Sequence, residues 1–96
     1  MKTPNQTESL RESSEILRAI AHPIRLAVIE LLHQQGKLSV TEIYQDLNIE
    51  QAVASHHLRI LKNKNVVDLE RVGKTSHYYL ANPSYYDIVR VLNEVG

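Results

Sequence analysis

Between residues 51 and 75 the chain carries side chains suited to polar recognition rather than to bond-making. Gln51, Ser55 and His56 are donors and acceptors, Ala52 is small, and Arg59 and Lys62 are cations. At helical spacing Ala52, Ser55, His56, Arg59 and Asn63 share one face, offset from the apolar stripe Ala54, Leu58 and Leu61. Small residues let a helix backbone come close to a surface. Gln51, Ser55 and His56 could then bond to base edges in a DNA major groove, which admits a helix and displays each base pair differently. Arg59 and Lys62 could meet phosphates, which supply affinity and position rather than specificity. Further on, Arg71, Lys74 and Thr75 crowd a turn, well placed for flanking backbone or minor groove. Thr41 joins the set as the expected cap of a short upstream helix, the one that would cross the DNA backbone.

Other chemistries lack their residues. There is no cysteine, which removes disulfides, thiolate metal sites, cysteine nucleophiles and thiol switches together. No paired carboxylates, nucleophile–base set or phosphate-cradling glycine loop is present, and the chain has only 3 glycines. An enzyme is therefore not expected, nor a cofactor. The 5 histidines are His22, His33, His56, His57 and His77. His56 and His57 look like a ligand pair, but neighbours on a helix point about 100° apart and chelate poorly. His22 reads as a packing residue before Pro23, His33 as a solvated residue at a helix end, and His77 as a half-exposed strand residue. The tyrosines Tyr44, Tyr78, Tyr79, Tyr85 and Tyr86 could line a pocket for a small organic effector, although core or interface is the commoner use of such a set. Tyr86 falls off the apolar stripe and is expected to be exposed.

The net charge is zero, from 11 basic and 11 acidic residues, which alone argues against a nucleic-acid partner. Its distribution is more informative: residues 50–75 carry 5 basic and 3 acidic groups, while the segments on either side each carry a net charge of −1. With 96 residues the chain is one domain, small enough that burial against a second subunit would help it. No stretch approaches the about 18 apolar residues of a membrane span, and residues 1–10 lack the apolar run of a signal peptide. A cytoplasmic location is the default expectation.

The positioning elements follow from periodicity. Residues 1–7 read as a frayed, polar start, and residues 8–96 as a single domain. A first helix runs from Glu8 to near Ala21. His22-Pro23 breaks it, because proline pushes its predecessor out of the helical region. A second helix opens at Pro23, carries Ile24, Ala27, Val28, Leu31 and Leu32, and stops at Gly36. Leu38-Ser39-Val40 fits a minimal strand, and Thr41 a helix cap ahead of Ile43, Tyr44 and Leu47. Asn48-Ile49 breaks the chain before a helix over residues 50–64. Residues 66–72 and 75–80 are strand-like around the turn signal Gly73-Lys74, and Asn82-Pro83-Ser84 opens a last helix. The fold class is mainly α with a β-hairpin: five helices in a winged helix-turn-helix, the hairpin being the wing.

Residues 17–32, LRAIAHPIRLAVIELL, and 51–80, QAVASHHLRILKNKNVVDLERVGKTSHYYL, resemble the two signature segments of the ArsR/SmtB family of bacterial winged-helix repressors. The first follows L-x-x-L-A-x-P-x-R-L-x-I-L-x-x-L. The second follows Q-x-x-V-S-x-H-L-x-x-L, a strand and a wing ending in Y-x-L. Ala54 departs from the usual valine, and Asn65 from a common glycine, although Asn tolerates the left-handed conformation such a glycine supplies. The resemblance implies a homodimer through the first and last helices, with Leu10, Leu17, Ile20, Tyr85, Ile88, Val89 and Leu92 at the interface. It also implies repression at a palindromic operator in double-stranded DNA. The family's cysteine metal site cannot exist here. Its last-helix site needs nitrogen ligands, and that helix offers only Asp87 and Glu94. A protein-interaction module on the same fold is the competing reading, and neutral net charge is its support.

Overall fold

The computed structural model describes the backbone of residues 4–96 and the side chains of residues 7–96. The elements are α1 (Pro4–Ile20), α2 (Pro23–Gln35), β1 (Leu38–Ser39), α3 (Val40–Asp46), α4 (Gln51–Asn63), β2 (Val67–Val72), β3 (Thr75–Leu80) and α5 (Tyr85–Val95). This is the order the periodicities require. Helix α1 begins at Pro4, earlier than Glu8; residues 1–3 of the expected frayed start lie outside the described residues.

Local chemistry sets the boundaries. His22 is extended, and its Nδ1 accepts from the Ile24 amide (3.1 Å), capping α2 ahead of Pro23. Helix α3 is capped by Ser39, not Thr41. The Ser39 hydroxyl accepts from the Glu42 amide (3.1 Å), and Glu42 accepts in return from the Ser39 amide (3.0 Å). This reciprocal box needs a hydroxyl three residues before a Glu or Gln, a spacing that Thr41 lacks and Ser39 has. Asn48 (φ 53°) turns the chain between α3 and α4. Asn65 (φ 58°) takes the left-handed conformation between α4 and β2 expected of it. Gly73 (φ 64°) occupies the first position of the two-residue hairpin loop, where a primed turn needs positive φ.

The strands form an antiparallel sheet in the order β1-β3-β2. In the hairpin Val67 pairs with Leu80 and Val72 with Thr75, while Leu38 of β1 pairs with Tyr78. The core is Val28, Ile29 and Leu32 of α2, Ile43 of α3, Leu58 and Leu61 of α4, and Val66 and Val67 at the start of the hairpin. Ile20, Leu38 and Val89 close it. Tyr78, Tyr85 and Tyr86 pack against this cluster, and Tyr79 lies under the Lys37 ammonium. Tyr86, expected to be exposed, is half-buried with the His33 ring stacked on it at 3.6 Å.

Helices α1 and α5 are under-packed. From residue 7 to residue 18 α1 is exposed except at Ser14 and Ile16, which are half-buried. Leu10 (48%), Leu17 (51%), Val91 (46%), Leu92 (55%) and Val95 (83%) retain large exposed fractions. Two of the residues expected at a subunit interface, Ile20 and Val89, are already buried within one subunit, on the inward edge of their helical stripes. Val91 and Val95 share the outward edge of α5. Among the described residues no helix is long and apolar enough to cross a membrane.

Candidate nucleic-acid interface

Helix α4 is held by one face and offers the other. Ala54, His57, Leu58 and Leu61 are buried, whereas Gln51, Ala52, His56, Arg59, Lys62 and Asn63 are exposed and Ser55 is half-buried. The predicted polar face is therefore the solvent face. The helix-turn-helix comes from α3 and α4 packing through Ile43, Leu58 and Leu61, with Asn48 making the turn.

The fold brings four of the predicted contact residues together from three elements. Thr41 of α3, Ser55 of α4, and Lys74 and Thr75 of the wing line one polar groove, with Ser39, Val40, Ser76 and Tyr78 completing its walls. Gln51, Ala52, His56 and Arg59 continue away from this groove along α4. Arg71 lies on β2 opposite Ser76, exposed near the wing tip. Lys62 stands apart, one turn beyond Arg59 and 3.9 Å from Asp68. Sequence reasoning missed Ser39, Ser76 and Tyr78. The period of two along β3 was the signal for Ser76 and Tyr78, since it puts both on the face that Leu80 presents to the core.

The ion pairs decide which charges of this neutral chain are left uncompensated. Lys37 pairs with Glu70, Lys64 with Glu15 (3.1 Å), and Arg90 with Asp87 (3.7 Å) and Glu94 (3.0 Å). Hydrogen bonding to Lys37 holds the Glu70 carboxyl below its ordinary pKa. Among the described residues Arg59, Arg71 and Lys74 form no ion pair, nor do Arg11 and Arg18 of α1. Three cations on α4 and the wing are thus left without a carboxylate partner, while Asp68 and Glu70 of β2 are matched by Lys62 and Lys37. Exposed pairs of this kind add little stability, but they do neutralise local field.

The histidines lie on three elements: His22 and His33 at the cap and end of α2, His56 and His57 on α4, and His77 on β3. The His56 and His57 rings meet edge to face at 5.1 Å. His57 points inward, where its Nδ1 accepts from Arg25 Nε (3.1 Å), so it is a packing residue and not half of a chelate. Its spacing with Ala54, Leu58 and Leu61 is that of a buried stripe, a signal obscured by its polar type. On α5 both Asp87 and Glu94 lean on Arg90, and the helix supplies no nitrogen donor, so it does not fit the last-helix zinc arrangement. Among the described residues no three His, Cys, Asp or Glu side chains converge.

A short helix, a tight turn, a second helix with a free polar face and a basic-tipped hairpin define a winged helix-turn-helix protein. Residues 22–68 match the family described as bacterial regulatory protein, arsR family. An uncharacterized HTH-type transcriptional regulator of Methanocaldococcus jannaschii is 31% identical over 92% of this chain and 99% of its own length. The transcriptional repressor PagR of Bacillus anthracis is 34% identical over 91% of this chain and 87% of its own. The crystal structure of PagR superposes with a TM-score of 0.81, covering 90% of this chain and 98% of that one. A homodimeric winged helix-turn-helix DNA-binding domain from Mycobacterium bovis, 23% identical, shares the fold with a TM-score of 0.84, over 98% of this chain and 86% of that one. The chain belongs to the arsR family of bacterial regulatory proteins.

Proposed function

We propose that the protein is a homodimeric transcriptional repressor that reads an imperfect palindrome in double-stranded DNA. The observation that carries this reading is the groove joining Thr41, Ser55, Lys74 and Thr75, continuous with the exposed polar face of α4. In it α4 enters a major groove, with Gln51, Ala52, Ser55 and His56 toward base edges. Arg59 and Lys62 meet phosphates beside it. Arg71, Lys74 and Thr75 grip the flanking backbone, and Thr41 does the same from α3.

The second subunit is inferred from α1 and α5. Leu17, Ile20, Leu26, Ile88 and Leu92 line an apolar groove between α1, α2 and α5, and Leu10, Val91 and Val95 extend its exposed surroundings. A second copy covers this surface with the same surface, as a two-fold dimer requires. That arrangement agrees with the homodimeric domain of Mycobacterium bovis, and the repressor role agrees with PagR. Its DNA target places the protein in the cytoplasm, and no catalytic role is assigned to it.

The test is binding to duplexes selected from a random pool, followed across a salt series. The reading expects a selected inverted repeat bound in preference to scrambled duplex, with affinity falling steeply as salt rises. Equal affinity for both at every salt concentration rejects it.

A further inference from the structure

The recognition helix is seated on the core by Ala54, Leu58 and Leu61, and apolar contact of this kind is non-directional. The polar member of the buried stripe is His57, only 6% exposed. Its Nδ1 accepts from Arg25 Nε at 3.1 Å, which leaves the ring proton of the neutral imidazole on Nε2. The same guanidinium donates through Nη1 to the carbonyls of Ala19 (3.0 Å) and Arg18 (3.4 Å), in the last turn of α1. Behind them the His22 ring, already capping α2, lies 4.3 Å from the His57 ring. One arginine therefore ties the end of α1, the start of α2 and the middle of α4 at a single joint.

We propose that Arg25 and His57 are the positioning couple for the recognition helix, and that protonation of His57 releases it and weakens specific DNA binding; this rests on the DNA-binding reading above. A proton on Nδ1 would set donor against donor and cation against cation. The groups facing the joint are His22 and Arg25 from the cap and first turn of α2, His56 from α4 and Lys64 at its C-cap, and Arg18 and Glu15 from α1. Glu15, the one carboxylate among these six, is bonded to Lys64 (3.1 Å). Nothing in this set is placed to accept the imidazolium. Burial, reinforced by His22, Arg25 and His56, keeps the His57 pKa below its ordinary 6.5. The sign is diagnostic. Protonating the exposed His56 adds charge to the DNA-facing surface and strengthens binding, whereas protonating His57 loosens the helix and weakens it.

The test uses the full chain and a fluorescent duplex that it selects from a random pool at pH 7.5. Binding is measured at pH 7.5 and 5.5 and at constant ionic strength. The expected result is roughly tenfold weaker binding at pH 5.5, the scale of one lost charge-assisted hydrogen bond. His57→Gln keeps an oxygen acceptor for Arg25 at every pH and should lose that dependence, whereas His56→Gln should retain it. Unchanged or tighter wild-type binding at pH 5.5, or a fall in His57→Gln equal to wild type, overturns the proposal. Imidazole NMR of the wild-type chain provides a second readout that does not depend on DNA. His57 should titrate below the ordinary imidazole value of 6.5, with the α4 amides moving on the same curve. Static α4 amides through that titration also overturn it. Absence of any sequence preference at pH 7.5 would instead reject the DNA-binding reading, leaving the joint to be judged by NMR.

Discussion

Ser55 lies at the seam of α3, α4 and the wing, half-buried beside Thr41 and Lys74, while His56 next to it is exposed. A hydroxyl at that seam can reach a base edge or a phosphate, and removing it costs about 1 kcal/mol of binding if it makes one hydrogen bond. Ser55→Ala and His56→Ala should each weaken binding to the selected duplex, as read by anisotropy, with sedimentation showing an unchanged assembly. His57, one position further along, carries a different consequence. Its pKa in the fold lies below the ordinary 6.5, so the unfolded chain takes up the proton first as pH falls. The stability that this residue contributes is complete above about pH 6.5 and is lost as pH drops through the lowered value. Glu42 and Glu70 are lowered from 4.5 and act only in a more acidic window. Thermal melts should therefore fall between pH 7.5 and 5.5, and His57→Gln should flatten that fall. The exposed contact face was legible from sequence because 3.6-residue spacing separates it from the Leu58/Leu61 stripe. His57 was obscured because its type suggests a ligand or a contact, whereas its spacing places it in the core.

The elements were legible wherever a change of period coincided with a chemical punctuation mark. Pro23 opens α2, Gly36 ends it, and Gly73 turns the hairpin. Asn65 takes the left-handed conformation because its short polar side chain tolerates it. The start of α3 was misplaced because Ser39 and Thr41 are both good caps in isolation. Only the reciprocal bond with Glu42 decides between them, and it draws the last residue of β1 into the cap. Ser39→Ala should cost about 1 kcal/mol and lower the melting temperature, with Thr41→Ala near neutral for stability. Because Ser39 also lines the recognition groove, the loss of α3 rigidity should be accompanied by weaker DNA binding. Melts and anisotropy on the same two variants separate the two effects.

At the scale of the molecule, a chain with no net charge carries, among the described residues, three cations without an ion-pair partner on α4 and the wing and an uncovered apolar surface along α1 and α5. Totals could not reveal the first, because charge balance says nothing about which cations are paired. The second was legible as surplus hydrophobic stripe at the chain ends, but the side of each stripe that faces the core depends on packing that sequence does not carry. Hence Ile20 and Val89 face inward, while Leu17, Val91, Leu92 and Val95 face out. Leu92→Glu should yield a folded monomer by sedimentation and, with it, loss of high-affinity DNA binding, since two half-sites must be held together. The central claim is that paired α4 helices read DNA through the face containing Ser55. It is tested most directly by determining the sequence that the full chain selects from a random duplex pool. The account predicts an inverted repeat whose half-site centres lie about one helical turn, or a multiple of it, apart. A pool that emerges with no enriched sequence, or with a single unrepeated site bound by one copy, contradicts it.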